Sequence, residues 1–146
     1  MPWQKLLALL AALTGSAPAA AQAQDASPPP KVQKKFFLQR DQIKPLVTDR
    51  SGAIATDRIT VAGRKVGFMY REAPDRPEDS GWRFFAGDED DAYIDDPANI
   101  GVYAVNTIAN YDPEIIQFLD APAGSAFLRV NGKLVPDPQG APPPRD

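Results

Sequence analysis

Six carboxylates fall between residues 88 and 96: Asp88, Glu89, Asp90, Asp91, Asp95 and Asp96. Acids this close together can bind a cation, divide acid and base roles in a hydrolysis, start a helix, or meet a basic partner. An EF-hand loop needs oxygen ligands at alternate positions, glycine at the sixth and glutamate at the twelfth. Counting from Asp88, the alternate positions pass through Ala92 and Ile94 and the sixth is Tyr93, so that pattern fails. A looser cation site on Asp95 and Asp96 stays open. Hydrolysis by two carboxylates needs one acid raised by burial and a second across the substrate. Acids on one short helix start do not supply opposed groups.

The chain has no histidine and no cysteine. That excludes disulfides, Ser-His-Asp and Cys-His catalysis, and His-ligated zinc. It also removes the usual proton shuttle near neutral pH. No catalytic residue, metal ligand or cofactor is expected.

As a helix start, Asp88 is the expected cap, with Asp91 at the capping-box position and Glu89 and Asp90 in the first turn. Tyr93 and Ile94 are the expected inward groups, and Pro97 ends the helix. This leaves Asp95 and Asp96 unexplained, because the helix dipole disfavours anions at that end. An acidic surface meeting a basic partner is the simplest use for them. A second constellation runs from Asn106 to Pro113. It reads either as a loop whose Asn side chains satisfy backbone groups before an Asp112 cap, or as a recognition patch. In the second reading Asn106 and Asn110 stand beside Trp82 and Tyr111, a polar–aromatic mix favoured at interfaces.

The elements that must position these groups are short. Lys34–Leu38 reads as an edge strand or brief helix. Ile59–Val61, a turn at Ala62-Gly63 and Arg64–Arg71 read as a hairpin, with Val66, Phe68 and Tyr70 on one face. Trp82–Ala86 reads as a third strand. Asp112-Pro113-Glu114 opens a helix carrying Ile115, Phe118 and Leu119 on one side. Ser125–Val130, an Asn131-Gly132 type I′ turn and Lys133–Val135 form a closing hairpin. The expectation is a small single α+β domain, an antiparallel sheet with two or three short helices.

The ends differ from this middle. Residues 1–23 read as a signal peptide: Lys5, an apolar run from Leu6 to Leu13, and a small-residue exit at Ala21-Gln22-Ala23. The run is far shorter than the roughly 20 residues of a spanning helix, so no stable membrane anchor is expected after cleavage. Residues 24–32 read as a Pro-rich disordered spacer, residues 33–135 as the folding unit, and residues 136–146 as a Pro-rich disordered tail. Removing the leader takes Lys5 with it and makes the net charge of −3 one unit more negative. That balance is a poor match to nucleic acid, which rewards clustered Lys and Arg.

Several ordered blocks together resemble the immunity protein 33-like domain family. They are Met69-Tyr70-Arg71-Glu72, Ser80-Gly81-Trp82-Arg83-Phe84, Gly87 to Asp91, Asn106-Thr107 and Tyr111-Asp112-Pro113. The similarity runs from about Ile54 to Arg129. It implies a small α+β domain that acts as an immunity protein of a bacterial polymorphic toxin system, without catalytic residues. The implied partner is a cognate toxin, and the acidity suits a toxin with a basic face. With the leader, the implied location is periplasmic or secreted. Two other readings stay open: a carboxylate-based cation-binding or hydrolytic envelope protein, and a general envelope protein that reuses the domain.

Overall fold

The computed structural model describes residues 33–143. The leader and the spacer lie outside the described residues. Six strands form one sheet: β1 (Gly52–Thr56), β2 (Phe68–Arg71), β3 (Asp79–Phe85), β4 (Ile100–Ala104), β5 (Ala126–Val130) and β6 (Lys133–Pro136), in the spatial order β4-β1-β3-β2-β5-β6. Every neighbouring pair is antiparallel except β1 and β3. Three short α-helices accompany the sheet: α1 (Asp57–Thr60), α2 (Asp91–Asp95) and α3 (Val105–Tyr111). The chain is thus a small α+β domain with a mostly antiparallel sheet.

The main core lies on one sheet face. Ala53, Ala55, Met69, Trp82, Phe84 and Phe127 project from the strands against Ile59 of α1, Val105, Ile108 and Ala109 of α3, and Ile115 beyond it. The other face holds Ile54, Tyr70, Phe85 and Ala126 under Ile94 of α2. Because both faces are covered, alternate residues of β2 and β3 are all apolar or internally paired. A strand buried on both sides reads as a continuous run rather than an alternation.

The hairpin expected over residues 59–71 is not formed. Asp57–Thr60 is helical, and the helix is closed by Gly63 at φ 78°, whose N–H bonds Ile59 O while Arg64 N–H bonds Arg58 O. A left-handed glycine is the common helix stop. Strand pairing begins only at Phe68, so Val66 sits in the main core with Met69 rather than with Phe68 and Tyr70. Lys34–Leu38 is neither strand nor helix. It crosses the domain as a strap, with Phe37 N–H on Thr60 O, and leads to a single 3-10 turn at Arg40–Gln42.

The expected third strand is present and longer, at Asp79–Phe85. The closing hairpin is present too, with Asn131 at φ 51° and Gly132 at φ 83° as a type I′ turn requires. Asp112 caps and Pro113 opens a helical segment, but its form is 3-10 over Pro113–Phe118. Beyond β6, Asp137 N–H bonds Ala126 O and Ala141 N–H bonds Gly124 O, so these tail residues lie along β5.

Candidate functional site

The acidic stretch links β3 to α2, and its members have separate jobs. Asp88 is not the cap. It is an exposed partner for the Arg64 and Arg58 guanidiniums, Arg58 at 3.3 Å. Its site is partly desolvated, which alone would raise its pKa, but the bond from Arg64 and the charges of both arginines hold it below the ordinary value.

Glu89 turns inward and is 7% exposed. Its Oε1 accepts from Gly87 N–H at 2.8 Å, and its Oε2 accepts from Ala86 N–H at 2.8 Å and from the Thr56 hydroxyl. One buried carboxylate therefore ties the end of β3 to the end of β1. Gly87 sits beside Gly67 in this turn, and a Cβ on Gly67 would lie 1.8 Å from Ala86 O.

The helix cap is Asp90, two residues later than the sequence suggested. Its carboxylate accepts from Tyr93 N–H at 2.8 Å. Both Asp88 and Asp90 satisfy the local rule. The arginines from the α1 region take Asp88, and that tertiary contact decides between them. Asp96 ends α2 and caps the next turn, Pro97–Asn99, by accepting from Ala98 N–H at 2.9 Å. Its position at the end of one helix is explained by its use at the start of another. Tyr93 packs under Arg58, with the guanidinium 4.6 Å from the ring centre.

The outcome is a rigid acidic tip. Asp90, Asp91, Asp95 and Asp96 are exposed on a five-residue helix pinned at both ends. Among the described residues, no group of three or more acids is placed to hold a metal ion.

The second constellation does not form a surface patch. Trp82 is 1% exposed; it packs between Phe84 and Phe127 and donates from Nε1 to Leu119 O at 3.2 Å. It is a core residue, because a strand covered on both faces exposes no side chain. Asn106 and Asn110 lie on α3, not in a loop. The Asn106 Oδ1 accepts from Leu46 and Val47 N–H at 2.8 and 3.0 Å, and its Nδ2 donates to Lys44 O. Asn110 accepts from Lys44 N–H and donates to Lys44 O, both at 2.9 Å. Tyr111 accepts from Leu38 N–H and donates to Thr60 O. The three side chains clasp the strap, spending their polar groups inside the molecule. Glu89, Trp82 and Asn106 are thus buried, whereas Asn110 and Tyr111 are half-buried.

Two ionic knots lie elsewhere in the domain. Asp112, 1% exposed, accepts from Val66 N–H at 3.0 Å and from Arg129 at 2.7 Å, while Glu114 takes the other side of Arg129 and Leu134 N–H. The Leu134 bond, then Arg129, holds Glu114 below its ordinary value. Arg83 is buried between Asp79, at 2.8 and 2.9 Å, and Glu72, at 3.1 Å. Burial raises Glu72, and burial with the neighbouring Glu72 charge raises Tyr70. Beside Asp88 lies an open hollow of about 610 Å³ bordered by Arg64, Lys65, Phe68 and Arg129. The Arg64-Lys65 pair next to a glycine was its only trace in the sequence.

A model of the Immunity protein Imm33 domain matches residues 53–135, which reaches into all six strands. The chain belongs to this family of immunity proteins. No curated protein and no solved structure matches it. Domains of this family are generally non-catalytic, and membership implies a cognate toxin as the partner.

Proposed function

We propose that this protein neutralises its toxin by direct binding, and that the exposed carboxylates of α2 meet a basic face on the toxin. The observation that carries this is the pinned acidic tip. Asp90 and Asp96 cap both ends of the helix, so the segment that carries the exposed Asp91 and Asp95 is held in place. Pre-ordered charges steer association and lose little entropy on docking. The leader-like residues 1–23 support action in the periplasm or outside the cell.

Reversing Asp91→Lys together with Asp95→Lys should weaken binding to the toxin encoded beside this protein at least tenfold, most strongly at low salt. The far-UV circular dichroism and melting temperature serve as folding controls. Unchanged affinity in a folded double variant, measured by calorimetry, rejects the acidic tip as the docking face.

A further inference from the structure

The sheet ends on one side in β4, and the ladder fixes what that edge presents. β4 pairs with β1 in the register Gly52↔Ala104, Ile54↔Val102 and Thr56↔Ile100. Val105 N–H bonds Ser51 O at 2.9 Å, which makes 51 and 105 a hydrogen-bonded pair. Antiparallel pairs alternate between bonded and non-bonded. Residues 100, 102 and 104 therefore turn their N–H and C=O groups away from β1. The Lys34 ammonium found on Ile100 O at 3.1 Å agrees with that direction.

Two of these six groups are used internally. Ile100 N–H donates to Pro97 O, and Ala104 C=O, at the cap position of α3, accepts the first helical bond. Among the described residues, that leaves Val102 N–H, Val102 C=O, Ala104 N–H and one lone pair of Ile100 C=O. An antiparallel strand of the same sequence centred on Val102 sets 102 against 102 and 100 against 104. Each open donor then meets an open acceptor, giving four bonds, and the two groups already used face each other. A shift of register in either direction loses this match.

The edge is guarded at one end, where the Lys34 ammonium sits on Ile100 O, and the strand brings no protection of its own. The strand I-G-V-Y-A has no charge and no proline, the usual protections of a solvent-facing edge. The opposite edge, β6, carries Lys133 and Pro136. Val102 is 57% exposed on one side of β4, and Phe36, packed edge-on against Tyr103, is exposed on the other. We propose that a second copy of this chain adds to β4 across a two-fold axis at Val102, joining two six-stranded sheets and placing the two valines side by side. Such isologous contacts need a self-complementary patch, and this edge is one in its backbone.

The test uses the full chain, purified as the cell processes it, with sedimentation equilibrium and amide hydrogen exchange across a concentration series. The expected result is a dimer whose Val102 and Ala104 amides become protected as concentration rises. Val102→Pro removes the central donor, and Val102→Lys sets like charges across the axis. Both should weaken self-association at least tenfold with unchanged circular dichroism. A monomer at every concentration overturns the proposal, as does a dimer that both variants leave intact. Protection of these amides only when toxin is added also overturns it and assigns the edge to a toxin strand.

Discussion

Glu89 and Asp91 are two residues apart, carry the same charge, and have opposite environments. Glu89 serves three donors below the surface, whereas Asp91 is exposed in the first turn of α2. Removing an acceptor from buried donors leaves each of them unsatisfied. Glu89→Ala should therefore cost at least about 2 kcal/mol in urea unfolding, and Asp90→Ala about 1 kcal/mol through loss of the cap. Asp91→Ala should stay within about 0.5 kcal/mol of wild type. If Glu89→Ala unfolds no more easily than Asp91→Ala, the inward carboxylate is not structural. From the sequence, a helix start in this stretch was legible because capping is local. Which acid caps, and which turns inward, was not, because Arg58, Arg64 and Thr56 make that choice from distant positions.

At the scale of elements, the strap over residues 37–47 depends on α3. Asn106→Ala strips the partner from Leu46 N–H and Val47 N–H at once and leaves Lys44 O with Asn110 alone. The amides of Leu46 and Val47 should then exchange at least tenfold faster, while those of β3 keep their protection. Uniform acceleration across the sheet would show instead that Asn106 supports the whole core. Turn chemistry made the β5–β6 hairpin readable, since Asn-Gly fits one turn type. The strands β1 and β4 left little trace. A run such as G-A-I-A-T has small residues and no alternation, and only its neighbours on both sides make it a strand. The same weakness underlies the hairpin expected over Ile59–Arg71, whose glycine stops a helix rather than turning a strand.

The molecule as a whole should be acid-sensitive. Asp79 is partly desolvated, yet the Arg83 and Gly81 bonds outweigh that and keep it below its ordinary value of 3.8, and Glu114 lies below 4.5. A depressed carboxylate contributes stability that is present above its unfolded value and lost as the pH falls through its folded one. Glu72, raised by burial, has the opposite sign and gains from protonation. Depressed groups outnumber it, so the melting temperature should fall as the pH drops below about 4. Glu114→Gln should flatten that fall, and an identical pH profile for the variant would remove the Arg129 knot from the cause. The family was legible because its blocks are spread in order along the sheet, while the docking face lies in exposure, which sequence does not record.

The placement of β1 has one more consequence. It is the first strand in the chain, yet both of its neighbours, β3 and β4, come later. A chain emerging from its N-terminus shows β1 long before residue 104 can close the sheet beside it. Until then β1, second from the sheet edge, has one open side, and the sheet cannot be completed. The sheet beside β1 therefore closes only once the chain reaches residue 104.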